Sequence, residues 1–363
     1  MNIERLSSEM IEPLVIGGSI LGGGGGGAIT EGLKLGKLAF DVGMPKIISM
    51  DKLNEDDLIV TVSAVGAPAA ENQFILPMDY VEAVKLVSEM TNKTPKALIT
   101  NENGGLATIN GLFQSAITGI PILDISCNGR AHPTGVMGSM SLNTLSNYVS
   151  VQAAVGGEPA TKYRISQVLK GSLDTTSKLV RQTSVLAGGL VAVARNPVAK
   201  SYLEKNGALN AISHAYEVGI AHTSSEKPLE KIEKVVEALS GEILARGVVK
   251  DLEFKTINGF DLGSVIIKAE EDEFKLTIWN EYITCENSEE KRVSTFPDLI
   301  MTFDPITGMP ITSSELKDDM ELIVIHANKE HLKLGSGMLL KSNYETVENV
   351  LKKDVIKYIE EIF

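Results

Sequence analysis

The densest group of chemically capable side chains lies in residues 124–133. Asp124, Cys127, Arg130 and His132 occur there, after an apolar segment. An arginine can hold a carboxylate or polarise a carbonyl group, and a cysteine whose pKa is lowered can act as a nucleophile. We expect Asp124 and Arg130 to be catalytic and His132 to contact a ligand. The alternative is that Arg130 only pairs with Asp124. For Cys127, simple burial is favoured over ligand contact.

A second polar segment, residues 101–105, follows a short apolar stretch and precedes a predicted helix. Glu102 within it could act as an acid or a base, or ligate a metal, and burial would raise its pKa. The alternative is that Glu102 only caps the helix that follows. We favour a catalytic role because polar residues at strand ends form the sites of open sheets. Asn103, Gly104 and Gly105 are then expected to contact the substrate.

Six consecutive glycines, residues 22–27, follow a predicted helix over 3–20. Consecutive glycine amides ahead of a helix can bind an anion. A nucleotide loop is disfavoured because no Lys-Ser or Lys-Thr follows the run. The remaining interpretations are close backbone packing without a ligand and a wall of a substrate pocket. The pocket wall is favoured, with Gly24, Gly25 and Gly26 touching the substrate.

A further carboxylate stands at the end of an alternating segment in the second half of the chain. Asn280 and Glu281 follow Trp279 there. They would suit a cleft between two domains, and the equal alternative is that they only close a turn. The histidines lack the spacing of a zinc site. The sequence therefore leaves a divalent metal open and names no ligand or cofactor.

The chain of 363 residues has 34 Lys and Arg against 47 Asp and Glu, a formal charge of −13. This balance argues against nucleic-acid binding, which needs clustered basic residues. Two cysteines, Cys127 and Cys285, form no disulfide framework, and neither a signal sequence nor a membrane span is recognisable. We expect a cytoplasmic protein with a small-molecule substrate. A homo-oligomer is expected because symmetric assemblies are common.

Apolar segments that alternate with amphipathic helices predict an α/β fold with a mainly parallel sheet in the N-terminal domain. Functional loops of such sheets gather at the carboxyl ends of strands. Three candidate strand ends are residues 64–68, 101–105 and 124–133.

The pattern changes twice along the rest of the chain. Helical spacing from residue 165, beginning with a helix over 165–186, predicts a helical layer on the α/β domain. Short alternating segments after residue 240 predict a small all-β C-terminal domain that ends in a helix. The expected divisions are 1–164, 165–240 and 241–363.

Several short motifs together resemble the S-methyl thiohydantoin desulfurase family, once classed as a domain of unknown function. Each motif is weak alone, but their order over most of the chain is specific. The matching segments are LGGGGGG (21–27), ENGG (102–105), GIPILD (119–124), GRAHP (129–133), WNEY (279–282), PDLI (297–300) and TGMPI (307–311). The resemblance implies an α/β domain followed by a β-domain, and activity on hydantoin-like rings.

Three positions depart from the family pattern. Ala28, Ser126 and Thr134 stand where acidic residues are usual in the family. From the residues themselves we expect a hydrolase in which Glu102 activates water, Arg130 and the glycine amides hold negative charge, and Asp124 orients Arg130 or a ring N–H. The missing acidic groups keep a second interpretation open, a non-catalytic ligand-binding or accessory subunit of a hydantoinase- or oxoprolinase-type system.

Overall fold

The computed structural model describes residue 3, residues 5–67 and residues 70–363. The predicted helix over 3–20 and the predicted strand end 64–68 each include positions outside this set. Within the described ranges, no helix is long and apolar enough to cross a membrane.

The first sheet has eight strands and combines parallel with antiparallel pairing. They are β1 (Ile47–Ile48), β2 (Leu58–Gly66), β3 (Ala97–Thr100), β4 (Ile122–Ser126), β5 (Ser150–Gly156), β6 (Ile165–Gly171), β7 (Leu190–Ala199) and β8 (Ala208–Leu209). Their order is β1-β4-β3-β2-β7-β5-β6, and β8 pairs with β4. Strands β1, β4, β3 and β2 are parallel, and the other pairings are antiparallel. The predicted α/β region with parallel strands is confirmed.

The α-helices pack mainly around this first sheet. They are α1 (Ile11–Leu21), α2 (Ile29–Val42), α3 (Pro77–Thr91), α4 (Leu112–Thr118), α5 (Leu173–Leu186), α6 (Lys200–Asn206), α7 (Ala211–Thr223), α8 (Pro228–Ala238) and α9 (Lys341–Leu351). Helix α1 is buried everywhere except at Glu12, as its apolar sequence on all sides requires. Its side chains enter two hydrophobic cores, with Leu14 in one and Ile20 in the other.

The segment predicted as helical from residue 165 also contains three strands of the first sheet, β6, β7 and β8. Residues 165–171 form β6, and the helix α5 begins only at Leu173. Strand β7 follows α5 and is buried on both faces over most of its length. A strand buried on both faces lacks the alternation that marks a half-buried strand, which is why the sequence pattern did not predict it.

The second sheet comprises eight antiparallel strands from the C-terminal part of the chain. They are β9 (Glu242–Ile257), β10 (Phe260–Ala269), β11 (Glu273–Trp279), β12 (Glu281–Glu286), β13 (Arg292–Thr295), β14 (Leu299–Phe303), β15 (Pro310–Ile311) and β16 (Glu321–Ala327). Their order is β13-β12-β11-β10-β9-β16-β14-β15. The predicted all-β region is confirmed.

The glycine run joins the two sheets. It begins at the end of α1, and its carbonyl groups accept hydrogen bonds from the second sheet region. Tyr282 N donates to Gly23 O at 2.9 Å, and Ser313 N donates to Gly24 O at 2.9 Å. The run is therefore fixed where the carboxyl ends of β2 and β3 meet the second sheet.

Candidate active site

A cavity of about 140 Å³ opens where the two sheets meet. Seven of the residues predicted from the sequence line it, namely Gly24, Gly25, Gly26, Glu102, His132, Asn280 and Glu281. Glu102 follows β3 and Glu281 begins β12, so the two carboxyl groups come from different sheets. The structure thus brings together the residues that the sequence placed at separate strand ends.

Four of the charged or polar lining residues that were not predicted stand out by their charge or their contacts. They are Asn101, Arg181, Arg195 and Asp261. Arg195 stands alone in the apolar stretch of β7, and a single arginine in such a stretch is the signal that could have identified it. Asn101 adjoins Glu102 and could have been included with it. Arg181 and Asp261 carry no comparable signal.

Arg195 and Asn101 orient the catalytic candidates Glu102 and His132. Arg195 Nη2 donates to Asn101 Oδ1 at 2.6 Å, so the amide nitrogen of Asn101 must point the other way. That nitrogen donates to Glu102 Oε2 at 3.0 Å and lies 3.1 Å from His132 Nε2. His132 Nε2 thus faces both the Asn101 amide and Glu102, whereas its Nδ1 is buried without a hydrogen-bond partner among the described residues.

This arrangement favours a proton on Glu102 at low pH. Glu102 Oε2 lies 3.1 Å from His132 Nε2, so a protonated Glu102 can donate to the ring. Burial raises the pKa of Glu102 to about 7, against the opposing effect of the Arg195 charge. Burial also lowers the pKa of His132 to about 3, which keeps the ring neutral at physiological pH. Glu102 therefore changes its charge near neutral pH, as suits a general base.

Glu281 is another carboxyl group of the cavity, and its surroundings favour the neutral form. Its residue is 2% exposed, and its Oε2 has no hydrogen-bond partner among the described residues. Burial raises the pKa of Glu281 well above its usual value, and the nearby Glu102 charge adds to that effect. A buried carboxyl group with a raised pKa can serve as a proton donor.

Arg181 connects the two sheets at the edge of the cavity. Its Nη1 donates to Gly66 O and to Gly259 O, both at 2.9 Å. Its guanidinium group also stacks on the Phe260 ring, 4.3 Å from the centroid. Arg181 thereby fixes the β9–β10 turn against the end of β2.

Two glycine segments meet behind the cavity wall. Gly26 O accepts hydrogen bonds from Leu106 N at 3.1 Å and from Ala107 N at 3.0 Å. A Cβ atom on Gly26 would collide with Gly104 Cα, and one on Gly104 would collide with Gly26 Cα. Only glycine at both positions allows the two backbones to approach this closely.

Gly26→Ala is expected to lower the free energy of unfolding by about 2–3 kcal/mol, because its φ of 79° strains alanine and the added methyl group meets backbone. Gly171→Ala is the matched control, since a Cβ there meets only Thr176 Cγ2 at 3.6 Å. Urea unfolding of both variants measures the difference. Equal stabilities would contradict the required close approach.

Arg130, predicted as catalytic, lies behind the glycine run instead of lining the cavity. It is fully buried, and its Nη1 donates to Pro297 O at 2.9 Å and also to Asp298 O. Its guanidinium group stacks on Phe296, 4.4 Å from the ring centroid. Arg130 therefore joins the first sheet region to the loop before β14.

Asp124 and Cys127 are also placed away from the cavity. Asp124 Oδ1 accepts hydrogen bonds from Ile212 N at 2.8 Å and Ser213 N at 2.9 Å, so it binds the first turn of α7. Cys127 lies 3.3 Å from Thr61 Oγ1, and burial raises the pKa of its thiol to about 11. The hydrogen bonds of Asp124 stabilise the start of α7. The pKa of the Cys127 thiol is raised, whereas a nucleophile requires a lowered one.

The remaining predicted contacts, Asn103, Gly104 and Gly105, support the site from behind. Asn103 Nδ2 donates to Gly129 O at 3.1 Å and to Ala211 O at 2.9 Å. Gly104 and Gly105 pack on the glycine run as described for Gly26. None of the three lines the cavity.

Two of the three departures from the family pattern face the cavity. Ala28 and Thr134 line it, whereas Ser126 is buried and donates to Asn128 O at 2.8 Å. Within the described ranges, no group of three His, Cys, Asp or Glu residues is arranged to hold a metal ion.

The two halves of the chain match two domains of one family. Residues 9–162 match the S-Me-THD-like N-terminal domain, and residues 172–334 match the S-Me-THD-like C-terminal domain. The fold is similar to the crystal structure of a protein from Chromobacterium violaceum, with a TM-score of 0.71, 18% identity and 96% of each chain covered. No functionally curated protein matches the chain.

Proposed function

Because the chain belongs to the S-Me-THD-like family, we propose that it is a hydrolase of small cyclic amides or imides, such as S-methyl thiohydantoin or a hydantoin. One observation carries the proposal: two carboxyl groups of the cavity lining, Glu102 and Glu281, come from different sheets, burial raises the pKa of both, and the Glu102 charge raises the pKa of Glu281 further. Such a pair supplies a base and an acid at the same pH.

The proposed reaction begins with water. Glu102, in its carboxylate form, takes a proton from a water molecule, whose oxygen attacks the ring carbon between the two nitrogens. Glu281 gives its proton to the adjacent ring nitrogen, so little negative charge accumulates on the ring. A tetrahedral carbon that bears the hydroxyl and methylthio groups results.

The second half of the reaction restores both carboxyl groups. The carbon–sulfur bond breaks, and Glu102 returns its proton to the leaving methanethiolate. The hydroxyl proton passes to Glu281 as the ring carbonyl forms. The sum is S-methyl thiohydantoin plus water giving hydantoin plus methanethiol.

The size of the cavity supports a small ring as substrate. Its volume is about 140 Å³, and a protein cavity of about 150 Å³ accommodates one benzene molecule. A five-membered ring with a short substituent therefore fits.

The direct test is turnover of S-methyl thiohydantoin by the purified protein. Methanethiol is measured with a thiol reagent, and hydantoin by chromatography. Formation of both in equal amounts supports the proposal. The proposal would be overturned if the protein bound S-methyl thiohydantoin or hydantoin but converted neither of them.

The rate kcat/KM is expected to rise with pH through about 7, because Glu102 must lose its proton to act as a base. Below that pH the protonated fraction grows and the rate falls about tenfold for each pH unit. Burial raises the pKa of Glu281 well above its usual value, the direction that a proton donor at these pH values requires. A flat profile between pH 5 and 8 would contradict the assignment of Glu102 as base.

A second candidate function is a non-catalytic ligand-binding or accessory subunit of a hydantoinase- or oxoprolinase-type system. The observation that favours it is that Ala28 and Thr134, two positions lacking the usual acidic groups, both line the cavity. Binding of hydantoin detected by calorimetry, without turnover, together with co-purification of a larger enzyme, would support this alternative. Turnover by the isolated chain would exclude it.

A further inference from the structure

Strand β6 forms an open edge of the first sheet. It runs over Ile165–Gly171, stands last in the strand order, and has β5 as its only partner among the strands that the structure describes. None of its seven residues is buried. An edge strand of this length presents a row of unpaired backbone N–H and C=O groups, to which a further strand can bind.

Helix α5 flanks this edge with exposed apolar side chains. Gln167 Nε2 of β6 donates to Thr183 Oγ1, which places that side of α5 next to the strand. Leu179 and Leu186 lie on the same side of the helix, four residues before and three after Thr183, and they are 45% and 64% exposed. Exposed apolar side chains grouped beside an unpaired strand are typical of a surface that another protein covers.

The opposite face of β6 carries groups of both charge signs. Ser166 Oγ donates to Glu82 Oε1, so this face lies next to α3. The Glu82 side chain is 39% exposed, and its Oε2 lies 3.5 Å from Arg164 Nη2. Lys170 is on the same face as Ser166, because residues four apart along a strand point to the same side. Lys170 is exposed and forms no ion pair within the described ranges.

A second copy of the chain brings the opposite charge to each lysine. Antiparallel pairing of two β6 strands about Val168 places Val168 opposite itself and Lys170 opposite Ser166 of the second copy. Opposed Cβ atoms in such a pair are about 4.5–5.5 Å apart, so the lysine reaches the Glu82 carboxylate that Ser166 holds. Twofold symmetry forms this contact twice. An isolated edge lysine ordinarily discourages strand pairing, but in this register it makes the edge complementary to itself.

We propose that the chain forms a homodimer through antiparallel pairing of its β6 strands, which joins the two first sheets into one. Leu179 and Leu186 of both copies lie on one face of the joined strands, and the pairs of Lys170 with Glu82 lie on the other. None of these residues lines the cavity. The inference is therefore independent of the proposed reaction.

Analytical ultracentrifugation of the full chain tests the dimer. At micromolar concentrations we expect twice the mass of the 39.0 kDa chain. Lys170→Glu and Glu82→Lys each replace two attractive contacts by repulsive ones, so each is expected to raise the dissociation constant of the dimer about 10-fold or more. The double variant exchanges the two charges and should return the constant to within about 3-fold of the wild-type value.

Lys255→Glu is the matched control, because Lys255 is an exposed strand lysine on β9. It should leave the dissociation constant unchanged. A wild-type chain that is monomeric at these concentrations would overturn the proposal. A double variant that dimerises no more tightly than the two single variants would also overturn it.

Disulfide trapping tests the register of the two strands. Val168→Cys places a thiol opposite its symmetry mate, so mild oxidation is expected to cross-link most of the dimer. Lys170→Cys should not cross-link, because residue 170 lies about 13 Å from its own mate along the paired strands. The native cysteines are both buried. Failure of Val168→Cys to cross-link, or efficient cross-linking of Lys170→Cys, would overturn the pairing about Val168.

Discussion

Glu102→Gln is expected to lower kcat/KM on S-methyl thiohydantoin by about 10²–10⁴-fold, the contribution typical of a positioned general base. The substitution removes the ability to accept a proton but keeps the shape of the side chain. The Gln oxygen, in the place of Glu102 Oε2, can still accept from Asn101 Nδ2 and still lies beside His132 Nε2. Stability and ligand binding should therefore change little.

Steady-state kinetics across pH 5–9 measure the loss, with a urea unfolding curve to verify the fold. Glu89→Gln is the matched control, because Glu89 is exposed on α3 and only approaches Lys85, at 3.7 Å. The assigned base would be wrong if Glu102→Gln retained more than about a tenth of the wild-type rate.

Arg130→Met is expected to lower the free energy of unfolding by about 3–5 kcal/mol, because it leaves buried carbonyl groups without their charged donor. Pro297 O and Asp298 O both accept from Arg130 Nη1, and the stacking on Phe296 adds to the loss. The methionine side chain fills much of the space, so the deficit reflects mainly the missing hydrogen bonds. Chemical denaturation followed by circular dichroism measures it.

The folded fraction of Arg130→Met should retain turnover, which separates a structural role from a catalytic one. The Arg130 charge lowers the pKa of Glu281, so its removal leaves Glu281 more firmly protonated. Arg246→Met, exposed on β9, should change stability by less than about 0.5 kcal/mol. Full stability with lost activity would instead return Arg130 to the catalytic group.

The sequence predicted the position of a side chain correctly where polar residues follow the end of a strand. The prediction was less successful within strands that are buried on both faces, because the direction of a side chain then depends on packing from both sides. Glu102 and His132 follow β3 and β4, and the rule for open sheets placed them together. Asp124 lies within β4, whose two faces are both covered, so nothing in the apolar pattern shows that its carboxylate faces α7.

Arg195 was missed for a related reason. Strand β7 is buried on both faces and lies in a segment predicted as helical, so its single arginine did not indicate a cavity-lining residue. The position of Arg130 depends on the loop before β14, more than 160 residues later in the chain. No local pattern reports contacts at such a separation.

The origin of the two carboxyl groups limits how this chain can evolve. Glu102 belongs to the half that matches the N-terminal family domain, and Glu281 to the half that matches the C-terminal one. Each half carries one of these two carboxyl groups and part of the cavity wall. Recombination that exchanged either half alone would inherit one of the two groups, so the halves are expected to descend together and to vary in concert.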